Sequence, residues 1–209
     1  MKRIIFIASI ILTTFFCTAQ EVLMQVAKNY FRSDPFNNEF GQFLKHLMND
    51  PTLVNSSVNK RTDSSFFYLR GDYTHHNPFF FKAKRTQVIL AEKEIISNDS
   101  LQLTDTIITY QVAGYTEGGK EGEDDVKKEF ERFDRKYIKR FIKNDYSELK
   151  YGTETTGAIR NYYVKFSFLS PLSVAWQKIG STNENVFVIT LRFKVSDNNA
   201  VLPISSDSP

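Results

Sequence analysis

DDVKKEFERFDRKYIKRFIKN (Asp124–Asn144) places an apolar group every three to four positions, at Val126, Phe130, Phe133, Tyr137, Ile138 and Phe141. That spacing predicts one long amphipathic helix. Glu121, Glu123, Asp124 and Asp125 at its start, and Lys139, Arg140 and Lys143 near its end, complement the helix dipole. The stretch decides the fold because strand patterns gather on both sides of it. A single helix between two runs of strands implies an α+β domain with an antiparallel sheet.

Upstream, alternation predicts strands over FFYLRGDYTHH (Phe66–His76), over Lys84–Ile96 and over LQLTDTIITYQVAGYT (Leu101–Thr116). Asn77 with Pro78, and Ser97–Ser100, supply the turns. GYTEGGKEGEDD (Gly114–Asp125) reads as a long glycine-rich acidic loop. Downstream, YGTETTG (Tyr151–Gly157) reads as a loop, followed by strand patterns at Ala158–Leu169, Leu172–Ile179 and Glu184–Val195.

Two helices are expected before the sheet. Val22, Val26, Tyr30 and Phe31 fall at helical spacing within residues 21–33. In DPFNNEFGQFLKHLMNDP (Asp34–Pro51), Asp34 can cap, Pro35 suits the first helical position, and Phe36, Phe40, Phe43, Leu44, Leu47 and Met48 form one stripe. His46 lies off that stripe and is expected in solvent. The expected fold is a curved antiparallel sheet of about five to six strands packed by two to three helices. Cystatin-like and NTF2-like folds share this element order, an analogy that carries no functional residue across. Residues 20–195 form the single domain and residues 196–209 a polar, flexible tail.

The first 19 residues have the form of a secretory signal peptide: Lys2 and Arg3, an apolar stretch from Ile4 to Phe16, then small residues at Cys17 and Ala19 before Gln20. The apolar stretch is too short to span a bilayer core roughly 30 Å thick. Lipidation at Cys17 is the competing reading, but Phe15 and Phe16 stand where small residues normally precede a lipidated cysteine. Removal of residues 1–19 takes the only cysteine and two cations, leaving 25 Lys+Arg against 24 Asp+Glu. A near-neutral chain lacks the cationic excess that nucleic-acid binding needs, and one without cysteine has neither disulfide nor thiolate chemistry.

GDYTHHNPFFF (Gly71–Phe81) concentrates the remaining site chemistry. Strand alternation puts His75 and His76 on opposite faces, so the pair cannot chelate one metal, whereas Asp72 shares a face with His76. Asp72, His75, His76, Phe79 and Phe81 are therefore the candidate ligand-binding residues, with no metal and no cofactor expected. RGD (Arg70–Asp72) lies within a strand pattern rather than at an exposed loop tip. No GxSxG, SxxK or GK[ST] motif is present, and EGGKEGE has glycines in acidic surroundings that repel phosphate. The pairs Asp124 with Asp125 and Glu92 with Glu94 read as a helix start and a strand face. The helix over Val126–Lys143 carries eight positive and three negative side chains, a basic face that could lie on an anionic surface but suits a solvated core helix better.

These features point to an exported cell-envelope protein without a catalytic constellation, binding an apolar small molecule or an envelope protein. The expected pocket lies between the curved sheet and its helix, lined by the chain's many aromatic residues. The alternatives are a carboxylate–histidine hydrolase using Asp72 and His76, and an assembly component joined through strand edges. Cleavage after Ala19 is expected to give a mature chain starting at Gln20. Intact-mass spectrometry of the exported protein checks this, a lipidated Cys17 being the contrary result.

Overall fold

The computed structural model describes residues 20–59, 67–74, 83–98, 103–164, 167, 169–196 and 198–204. Helix α1 (residues 20–30) leads through a 3-10 turn (Pro35–Asn37) to α2 (Phe40–Met48). A four-strand meander follows: β1 (Leu53–Asn59), β2 (Tyr68–Tyr73), β3 (Arg85–Asn98) and β4 (Leu103–Glu117). Helix α3 (Lys120–Tyr137) with a 3-10 turn (Ile138–Arg140) leads to a second meander, β5 (Lys143–Tyr151), β6 (Glu154–Tyr163), β7 (Leu172–Ile179) and β8 (Glu184–Val195). A short β9 (Val201–Pro203) pairs with β8. Among the described residues no helix is long and apolar enough to cross a membrane.

All nine strands form one antiparallel sheet in the order β1-β2-β3-β4-β8-β7-β6-β5, with β9 on β8. The two meanders meet at β4 and β8 and spread outward in opposite directions. Each four-strand meander follows helical structure, α1 and α2 in the first half and α3 in the second. The sheet is larger than the expected five to six strands because both of its edges are polar. LVNSSVN (β1) and KNDYSELKY (β5) have most of their residues exposed, so neither carries the apolar alternation that marks a half-buried strand. What was expected as the end of a helix and a loop is instead the β5–β6 hairpin, turned at Gly152 with φ +62°.

Two further boundaries move for tertiary reasons. The stripe from Phe36 to Met48 is broken between the 3-10 turn and α2 because Asn38 is extended, and the Phe40 amide donates to the carbonyl of Asn199 at 2.9 Å. Glu39 bridges Ala200. The same contact overturns the expectation of a loose tail from Ser196: residues 201–203 are a strand and Ile204 is buried. Asp34 does cap, accepting from the Phe36 amide at 2.9 Å, and His46 is exposed as expected.

The expected loop over Gly114–Asp125 is almost entirely regular structure. β4 runs to Glu117, Gly119 turns the chain with φ +94°, and α3 begins at Lys120. Gly122 is pressed against the end of β4, where an added Cβ would sit 2.1 Å from the Glu117 carbonyl oxygen. The glycines seat the helix on the sheet rather than loosen a loop.

All three helices pack on one face of the sheet. Phe133 of α3 sits at the centre, its ring 5.3 Å from Tyr30, 4.6 Å from Tyr137 and 6.4 Å from Phe187. Phe31 and Phe43 lie 4.5 and 5.2 Å from Tyr110, and Phe43 lies 6.2 Å from Phe193. Val126, Phe130, Phe133, Tyr137 and Phe141 are buried, with Ile138 packed against them. At roughly 2–3 kcal/mol for each large apolar side chain removed from water, this layer supplies the main driving force for a chain whose described core holds no cross-link.

Polar contacts fix α3 in register. Asp134 accepts from the Tyr162 hydroxyl at 2.9 Å and pairs with Arg160 at 3.1 Å. Arg160 also donates to Asn144 at 2.8 Å and stacks on Tyr146. Asp134→Ala would strip the charge partner from a largely buried guanidinium. Chemical denaturation is expected to show a loss of roughly 2–3 kcal/mol. Glu129 of α3 is buried, and burial holds its carboxyl above the usual range although Arg132 opposes the shift. A folded pKa above the unfolded one means that Glu129 costs stability at neutral pH, a cost relieved as the pH falls through the raised pKa. Glu129→Gln is expected to raise Tm at neutral pH. Its advantage over the wild type should shrink toward zero as thermal unfolding is followed into acid.

Candidate functional site

The aromatic pocket expected between sheet and helices is filled by the rings themselves. Tyr110, Phe133, Tyr162 and Phe187 are fully buried and packed against one another or their neighbours. The opposite face of the sheet is covered by no described helix, and its polar groups form a separate network.

Strand alternation assigns that face. On β8, Phe187, Ile189, Leu191 and Phe193 point to the helices, so Val186, Val188, Thr190, Arg192 and Lys194 point away. The pairing register then arranges outward residues in transverse rows. One row reads Asp72, Gln87, Ala113, Val188, Ala175, Ile159, and the next reads Ile89, Gln111, Thr190, Ser173, Asn161. A third brings Arg192 opposite Thr109 and Ala91. Rows are about 7 Å apart, two residues of strand rise.

Several central groups of this face are withdrawn from solvent. Gln87 is 3 % exposed, Ser173 3 %, Ala113 4 % and Thr190 5 %, and the outward groups from Arg85 to Ala91, Ile107 to Tyr115 and Val186 to Lys194 are all buried or half-buried. Buried polar groups need partners, and a chain of contacts provides them at one end. Gln87 donates to Asp72 at 2.9 Å and accepts from the Tyr115 hydroxyl at 3.2 Å. Arg85 pairs with Asp72 at 3.5 Å and Glu184 at 3.3 Å, with its guanidinium 3.7 Å from the centre of the Tyr115 ring. Further along, Gln111 donates to Thr190 at 3.1 Å.

Arg192 occupies the other end. One of its Nη atoms donates to the Ser170 carbonyl at 3.0 Å and to the Ser173 hydroxyl at 3.3 Å. Its backbone amide donates to Pro171 at 2.8 Å. Among the described residues no carboxylate pairs with it. Asp145 is engaged with the Tyr163 hydroxyl. Burial lowers the pKa of Arg192 from its usual value, with nearby Tyr163 pulling the other way. Two arginines thus mark the two ends of the face, one neutralised by carboxylates and one held by neutral acceptors.

Of the residues singled out in the sequence, Asp72 is on this face, half-buried and committed to Gln87 and Arg85. His75, His76, Phe79 and Phe81, with the Asn77–Pro78 turn, lie outside the described residues, as do Cys17 and Ala19; Gln20 is exposed at the start of α1. Arg192, Ser173, Thr190 and Gln111 were not singled out. The alternation in ENVFVITLRFKV puts Thr190 and Arg192 on one face with Val186 and Val188, whereas Gln111 and Ser173 join them only through the pairing register.

Clefts of about 520 to 560 Å³ also surround Gly118, where β4 meets α3. Their Lys178 is already shared between Glu123 at 2.9 Å and Glu154 at 2.7 Å. Among the described residues no group of three or more His, Cys, Asp or Glu side chains could hold a metal ion. No protein-family model, characterised protein or solved structure matches this chain.

Proposed function

We propose that this is an exported, non-enzymatic cell-envelope protein that binds a small ligand on the face of its sheet that no described helix covers. The observation that carries the reading is a sheet face free of described helices whose central side chains are nevertheless buried or half-buried and mix amides, hydroxyls and small aliphatic groups. Such a mixture suits reversible binding, with a few polar groups orienting a largely apolar ligand. The signal-peptide pattern at residues 1–19 supports export. The hydrolase reading needs a free carboxylate at Asp72, and that carboxylate is engaged by Gln87 and Arg85. Assembly through a sheet edge is the second reading. It is favoured by β5, which ends the sheet and leaves Tyr151 83 % exposed.

N-phenyl-1-naphthylamine, a neutral apolar fluorophore, tests the binding reading. Saturable fluorescence enhancement is expected with the mature protein. Val188→Trp, which fills the row between Ala113 and Ala175, should abolish it while far-UV circular dichroism and cooperative unfolding are retained. No enhancement, or equal enhancement in a folded Val188→Trp variant, overturns the reading.

A further inference from the structure

We infer that Arg192 is the anchor for a ligand carboxylate, and that the ligand is an amphipathic monocarboxylate lying along β8 with its apolar end over Val188. This rests on the binding reading above and specifies its chemistry.

Arg192 is half-buried, and among the described residues no carboxylate pairs with it, whereas the same face shows how this fold neutralises a guanidinium. Arg85 has Asp72 and Glu184 within 3.5 Å and an aromatic ring beneath it. Arg192 has a carbonyl and a hydroxyl, both on the same Nη. Its other Nη and its Nε have no partner among the described residues. Those two atoms form the edge of the guanidinium that matches the two oxygens of a carboxylate.

The surroundings define the rest of the ligand. Along β8, the row next to Arg192 is polar, with Thr190 flanked by Gln111 and Ser173. One row further lie Ala113, Val188 and Ala175, with Ile159 beyond. An arginine therefore stands about 13 Å, four residues of strand rise, from a row of small aliphatic groups. A medium-chain carboxylate spans that distance.

Titration of the mature protein with decanoate, decanol, acetate and inorganic phosphate tests the inference, followed by NMR shifts of the Arg192 Nε–H and of the Val188 and Ala175 amides. Decanoate is expected to saturate and to move all three signals. Acetate should bind at least tenfold more weakly for want of the apolar contact, and phosphate should not compete. Arg192→Gln should weaken decanoate by about tenfold or more, the worth of a charge-assisted contact, and leave decanol unchanged. Arg192→Lys, keeping the charge without the fork, should fall between. Arg140→Gln, an exposed position in the 3-10 turn after α3, should leave decanoate affinity as in the wild type. Shifts at Arg192 in the wild type need no variant, so a misfolded substitution does not remove the test. Decanoate binding that leaves the Arg192 signal unmoved, or that equals decanol in affinity, overturns the carboxylate anchor while leaving the binding reading intact. Failure of both decanoate and decanol to bind overturns both.

Discussion

The antiparallel ladder between β4 and β8 is the constraint on which the rest of the molecule depends. Its partners run from Ile107↔Lys194 to Glu117↔Glu184, joining the last strand of one meander to the last strand of the other. Because the two strands are antiparallel, the meanders spread in opposite directions and the helix preceding each falls on the same face. Tyr30 of α1 can therefore meet Phe133 of α3. Apart from each other, the halves would present a long uncovered edge and an incompletely buried apolar surface.

The ladder also gives the sheet two chemically different faces. The helix side is dry and aromatic, with its few charges paired, as Arg160 is with Asp134. The other side has several central groups withdrawn from solvent without being covered by a described helix, and its rows alternate between aliphatic and polar character. Each residue there is ordinary for a strand. Only the register brings Ala113, Val188 and Ala175 into line and leaves Arg192 two rows away. The chemistry of such a surface is a property of pairing more than of any local motif.

Much of the architecture was legible wherever burial is one-sided. The stripe of α3, the strands over Leu172–Ile179 and Glu184–Val195, and the cap at Asp34 follow directly from periodicity. Edge strands were not legible, because β1 and β5 have little apolar burial to leave a pattern. The glycines at 118, 119 and 122 misled for a related reason: a residue type that marks a flexible loop also marks a close approach, and only the packing against Glu117 distinguishes the two. Asp72 lies on the face without described helices, and its partners Arg85 and Gln87 come from a neighbouring strand. Arg192 was missed because an arginine in a strand declares nothing until the absence of a carboxylate around it is known.

The topology also separates contacts by their reach along the chain. Every ladder inside a meander joins strands that are neighbours in the chain, so each half can assemble from short-range encounters at low entropic cost. The β4–β8 ladder must close separations of 67 residues at Glu117↔Glu184 and 87 at Ile107↔Lys194. The bridge of Glu39 to Ala200 closes a longer one still. The contacts thus fall into two classes of reach: short-range ladders within each meander, and long-range closures at the β4–β8 ladder and where the segment after β8 meets α2.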